Sequence, residues 1–479
     1  MTIIVLMQKI LNLIFLICFG LNCYSQNVDV QLSPDVNDEF AYPEVFGMNE
    51  QSFFAISSKS ENEFYIECIT NKELRRVFKR QVEMPQIEGK SNAFETILYF
   101  NTHIYLFSSH HDKKLKKYAL YINEIKPNGE LSLNHTLIDE VSFNDKNYAC
   151  KYTIRLSTDS NRVLLFRETS ESDVTKGKVT YKAISKGLRS VFEKHIELAQ
   201  ALSSTAISNV ILDDEQNIYF TEKQYYKIEG ESGSFTKLFV VSYKAEKDTL
   251  YKTEIAINEK RFLDVTLQLN NEGKLICSGN YSVDKNTLTN WEENHSLKGL
   301  FYSILEAEQL RIISQGQCQL HELMPEEKFF RYYLTNTFQL GDHILLLCEF
   351  QNAMCDNGVC DTKFGDLLEL DFSLKEPQKP VAKKIEVTLN SEKPACKGGT
   401  KSFIPFQTNK TAHLLYNCNR LFDINADGAN TTKSIFDGAA NPDLAFMKYS
   451  FQMNNETILV LTYSKKTGHR FAKFSFKEE

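Results

Sequence analysis

Asp423-Ile424-Asn425-Ala426-Asp427-Gly428 is the stretch of this 479-residue chain closest to a ligand set. Its D-x-N-x-D-G order matches the first half of a calcium loop. Hard oxygens alternate along the backbone, and a glycine allows the sharp turn. Asp423, Asn425 and Asp427 would hold the cation, but Ser434 stands where a bidentate Glu belongs. The same residues also read as a strand over 420–424, a turn over 425–428 and a second strand over 431–436, in which case no cofactor is needed.

The cysteines offer other chemistry. Cys355 and Cys360 enclose Asp356-Asn357-Gly358-Val359 at the expected tip of a surface connection, where a disulfide fits. A ring that small would contribute roughly 2 kcal/mol in the chain-entropy account. Cys396 and Cys418 form a second candidate pair, because the strands near Lys401 and Thr411 fold back on each other. Cys68, Cys277 and Cys348 fall within apolar runs and read as small buried hydrophobes.

His103, His343 and His413 share one position in a recurring pattern, which spreads them around the molecule as solvated turn residues and does not converge them on a metal. His110-His111 before a lysine cluster is a weak metal signal. No G-x-S-x-G, H-E-x-x-H, P-loop or G-x-G-x-x-G occurs, and no carboxylate pair stands out as a glycosidase acid and nucleophile. The catalytic set is therefore empty at this level, although a site assembled from distant segments would leave no local motif.

The elements that must position these residues repeat. A short apolar strand opened by a polar turn appears as QSFFAIS from Gln51, THIYLFS from Thr102, NRVLLFR from Asn161, QNIYFTE from Gln216, GKLICSG from Gly273, DHILLLC from Asp342, AHLLYNC from Ala412 and ETILVLT from Glu456. The copies lie about 58 residues apart. Each has a strand before it, as in FETILYF from Phe94, and another after it, as in KYALYINEI from Lys117. Period two with Phe, Tyr, Val and Ile is the strand signal. A more polar fourth strand closes each unit, as in ELSLNHTLI from Glu130, DTLYKTEIAI from Asp248 and AKKIEVTL from Ala382.

Eight units of four strands predict an all-β fold, a β-propeller with eight blades, seven being the alternative count. The eighth unit lacks a fourth strand, and the alternating segment 27–32 can supply it, so one blade uses both chain ends. Radial closure protects sheet edges. The single Trp excludes propellers with a Trp in every blade.

The first 25 residues read as a signal peptide. Lys9 supplies positive charge, an apolar run follows from Ile10, and Cys23 and Ser25 are the small residues before cleavage at Gln26. Asn22 fits poorly ahead of Cys23 for a lipid anchor. Residues 26–479 then form a single domain with no spanning segment, exported to the periplasm, cell surface or exterior. A net charge of −7 argues against a general nucleic-acid partner.

The eightfold repeat, the Met-x-Lys start at Met7 and the cleavage before Gln26 resemble the uncharacterised secreted β-propellers of Bacteroidetes bacteria. The resemblance covers nearly all of the mature chain. It implies an exported propeller of unassigned role and brings no catalytic motif.

With strands A to D counted from the axis outward, B–C and D–A connections emerge on one face. The long ones are 167–177, 221–236, 279–297, 350–364 and 321–330, which points to blades three to six as the recognition face. Tyr225, Tyr226, Tyr281 and Trp291 are its candidate binding residues for a protein or glycan. The same rings could instead pack on the base of their own loops. The expectation is a non-enzymatic binding scaffold. The rivals are a carbohydrate- or peptide-acting hydrolase or lyase at the channel mouth, and a structural envelope component.

Overall fold

Strand His103–Asp112 places Ile104 and Leu106 in one apolar cluster and Tyr105 and Phe107 in another. Strand His343–Asp356 does the same with Ile344 and Leu346 on one side and Leu345 and Leu347 on the other. A strand apolar on both faces must be covered on both, so each sheet is held between two others. A computed structural model describes residues 28–476 except 35–43, 61–62, 88, 145–147, 172–176, 228–233, 258–260, 271, 283–296, 326–331, 357–358, 386–402, 409–410, 417–419, 426–429, 435–444 and 465–467.

The protein is an all-β propeller of eight four-stranded antiparallel blades. Eight apolar clusters join the blades pairwise. They run from blades one and two, through Ile66 and Leu106, round to blades eight and one, through Leu461 and Phe53. An eighth inter-blade core decides the count against seven.

Blade two comprises Ala93–Phe100, His103–Asp112, Lys117–Ile125 and Leu131–Ser142. Blade three comprises Tyr148–Leu156, Val163–Glu171, Lys178–Ile184 and Ser190–Glu197. Blade four comprises Thr205–Leu212, Ile218–Lys227, Ser234–Lys244 and Thr249–Glu254.

The eighth blade is closed by the N-terminal strand. Val28–Leu32 runs antiparallel to Gly468–Phe476, from Val28 opposite Phe476 to Leu32 opposite Ala472. The Ser33 N–H donates to the Phe471 carbonyl at 2.8 Å, and the Phe471 N–H donates to Ser33 Oγ at 3.0 Å. Gln31 Nε2 donates to the Lys72 carbonyl at 2.6 Å, which ties the closing strand to blade one.

Two connections differ from expectation. Much of the segments 221–236 and 350–364 is not irregular loop; the B and C strands stay paired out to Lys227 and Ser234 in blade four and to Asp356 and Val359 in blade six. Tyr225 faces Thr236 in the ladder, and strand His343–Asp356 continues against Val359–Ser373. Alternating Tyr, Phe and Thr favour continued pairing over release into a loop. A two-residue ladder, Gln86–Ile87 against Lys90–Ser91, also stiffens the link between blades one and two. Among the described residues no helix is long and apolar enough to cross a membrane.

Candidate functional site

The four expected aromatics have different fates. Tyr225, near the end of blade four's B strand, is 38% exposed, with Lys223 Nζ 5.6 Å from its ring centre. Tyr226 is half-buried. Its hydroxyl donates to Gln224 Oε1, and Gln224 in turn donates to buried Glu222. Tyr281 is a correction. It lies inside strand Lys274–Ser282, 1% exposed, opposite Gly299, and its hydroxyl donates to the Cys318 carbonyl at 2.6 Å. A Cβ at position 299 would sit 2.3 Å from the Tyr281 ring, so the glycine leaves room for the tyrosine to lie flat across the sheet. Trp291 lies outside the described residues.

The calcium half-motif is also redistributed. Asp423 is buried within strand Arg420–Asn425, opposite His413, and binds His413 Nδ1 at 2.6 Å. The first proposed ligand is therefore part of a sheet's hydrogen-bonding and not the start of a loop. Asn425 ends the strand opposite Thr411, and Asp427 lies outside the described residues.

His413 corrects a second expectation, being fully buried and stacked on Phe406 and Phe476 at 4.6 and 4.8 Å. The other two members of the set also meet acids, His103 with Glu124 at 2.7 Å and His343 with Asp371 at 2.9 Å. Each pair stays within its own blade.

Cys355 and Cys360 are register partners across the blade-six hairpin. Cys396 and Cys418 lie outside the described residues. Cys68, Cys277 and Cys348 are buried, as expected, and burial raises each thiol, Cys277 to about 12. Such thiols are poor nucleophiles.

Three buried carboxylates are paired with cations of their own blade or the next. Asp139 pairs with Arg167 and with Lys182 at 2.8 Å, and accepts from the Tyr152 hydroxyl at 3.2 Å. Glu67 meets Arg76 at 2.9 Å and Lys79 at 3.3 Å, and Glu222 meets Lys252 at 2.7 Å. A cavity of about 240 Å³ lies at the seam between blades eight and one, but the carboxylate lining it is this same Glu67.

The B–C and D–A end of blades two and three carries a cluster that sequence reasoning missed. His111 ends blade two's B strand and Tyr118 opens its C strand. Phe143 follows its D strand, and Tyr148 opens the next blade. Chain direction brings all four ends to one face. His111 stacks on Tyr118 at 4.1 Å and 9°, Phe143 stacks on Tyr148 at 4.3 Å and 16°, and His111 Nε2 meets the Tyr148 hydroxyl at 2.7 Å. His111, Tyr118 and Tyr148 are half-exposed above buried Phe143. Burial, with Lys113 beside it, holds the His111 imidazole below its usual range, so it is neutral near pH 7.

Below the cluster, the A strand of blade two slips register between Phe94 and Thr96, leaving Glu95 in the bulge. Burial raises the Glu95 carboxyl, while a Ser109 hydrogen bond partly opposes the shift. The signal that could have found the cluster was an aromatic or His at every strand end bound for one face.

Among the described residues no cluster of three His, Cys, Asp or Glu side chains could hold a metal ion. No protein-family model and no curated protein matches the chain. Solved structures similar to it include a protein named as a propeller, one of uncharacterised role and an enzyme. The Dos1 propeller aligns with TM-score 0.49 and 9% identity over 93% of this chain and 95% of that one. An uncharacterised protein from Listeria monocytogenes aligns with TM-score 0.35 and 12% identity over 82% and 97%. An α-L-arabinanase from Penicillium chrysogenum, complexed with arabinobiose, aligns with TM-score 0.34 and 9% identity over 75% and 98%.

Proposed function

We propose that the protein is an exported binding propeller that engages a protein or glycan partner through its B–C and D–A face. The observation that carries this reading is the cluster of half-exposed rings at the strand ends of blades two and three, with Tyr225 exposed on blade four. The buried acids Glu67, Asp139 and Glu222 support it, because each is paired with a cation of its own sheet or the adjoining one and is not turned toward a shared centre. Rings with polar edges suit a wet, specific interface.

The test is a crosslinking pull-down from the exporting cell, followed by affinity measurement with variants. Losing an anchoring ring costs on the order of 2 kcal/mol, or about 30-fold. Tyr225→Ala and Trp291→Ala should both weaken capture, while shortening the turn at 270–273 on the opposite face should not. The reverse pattern would reject this face.

A second reading is a hydrolase, favoured by Glu95, whose raised carboxyl could serve as an acid. Release of reducing ends from an offered polysaccharide, lost in Glu95→Gln, would establish it in place of pure binding.

A further inference from the structure

Blade two's B–C turn is Lys113-Lys114-Leu115-Lys116, followed by Lys117 at the start of the C strand, and it is set beside the ring cluster. Lys116 is tied to the Asn144 carbonyl at 2.6 Å and Lys117 to Glu140 at 2.9 Å. Lys113 and Lys114 are exposed. The nearest acid, Asp112, is engaged by the turn itself, accepting the Lys114 and Leu115 backbone N–H groups at 2.8 and 3.0 Å. Lys90, exposed on the short ladder before blade two, adds positive charge beside Asp112. On a chain of net charge −7, this is a local positive rim next to half-exposed rings.

We infer that this rim binds an acidic glycan, with sugar faces stacked on Tyr148 and Tyr118 and uronate carboxylates paired with Lys113 and Lys114. The inference rests on the binding reading above and gives it a ligand class and a place. Acidic peptides share the charge. The glycan is favoured because Tyr118 and Tyr148 are half-exposed, each with one face stacked on His111 or Phe143, and because the tyrosine hydroxyls and the neutral His111 imidazole can hydrogen-bond sugar hydroxyls. Exposed lysines act as point charges and weaken as salt rises.

The experiment is calorimetric titration of the full protein with polygalacturonate oligomers, with neutral dextran and poly-L-glutamate as comparators. Polygalacturonate should bind at low salt, more tightly than poly-L-glutamate, and dextran should not. Lys113→Glu with Lys114→Glu should lower affinity about tenfold or more. Tyr148→Ala should lower it similarly, while Tyr148→Phe retains most of it; folding of each variant is checked by circular dichroism. Absence of polygalacturonate binding overturns the inference. So does binding that the lysine pair leaves unchanged, although the binding reading then survives elsewhere on the face. Equal binding of poly-L-glutamate, indifferent to Tyr148→Ala, makes the rim a surface for acidic peptides and also overturns it. Release of reducing ends from polygalacturonate would reject the non-enzymatic reading and leave the ligand class standing.

Discussion

Asp139 shows how this chain treats a carboxylate it cannot leave in water. The group is almost wholly buried, and Arg167 and Lys182 hold it from the neighbouring blade. Asp139→Asn would leave the buried Arg167 without its counter-charge and Lys182 with Glu193 alone, which costs about 3 kcal/mol. Chemical denaturation should show the midpoint falling with an unchanged slope. Gly299→Ala should also destabilise, by about 1–3 kcal/mol, because the new methyl group meets the Tyr281 ring. His111 gives a pH dependence of opposite sense to a salt-bridged histidine. Its folded pKa is lowered, so above the unfolded value of about 6.5 both states are neutral. As pH falls below that value the unfolded chain takes up a proton before the folded one does, and stability is lost. NMR titration should place the His111 midpoint below that of a free histidine, and a midpoint at or above it would contradict the burial described here. At this scale the sequence was least legible. Tyr281 and Asp423 were placed by type and local spacing, whereas their roles depend on Gly299 and His413, which only strand pairing brings opposite them.

Strands were far easier to read, because period-two alternation is written along each one. The closing strand is the clearest case. Residues 27–32 were assigned to blade eight from alternation and from the absence of a fourth strand there, and Val28–Leu32 occupies that place. Deleting 26–33 should therefore lower the melting temperature by exposing strand Gly468–Phe476, and an unchanged temperature would argue that closure contributes little. In blades four and six the length between apolar runs suggests irregular loops, but the intervening Tyr, Thr and Lys residues keep pairing. Cross-strand pairing of Cys355 with Cys360 makes the blade-six hairpin the place to look for a disulfide. Peptide mapping of oxidised, exported protein without reductant should recover the two linked, and recovery as separately alkylated thiols would reject the bond.

For the whole molecule, the repeat conveyed the architecture and favoured eight blades over seven, since a unit that cannot cover its own faces must stack on copies of itself. It did not convey the ring cluster, because the ends of four consecutive strands, from His111 to Tyr148, meet only when the chain folds back on itself between blades two and three. Export is expected to leave Gln26 as the first residue, which intact-mass measurement of the secreted protein can check.

Val28 and Phe476 stand opposite each other in one ladder. The polypeptide is therefore a circle cut at an arbitrary point on its rim. Joining those two positions through a few residues and opening the backbone at the turn 213–217 should give a circular permutant with the same ring, its seam moved to blade four.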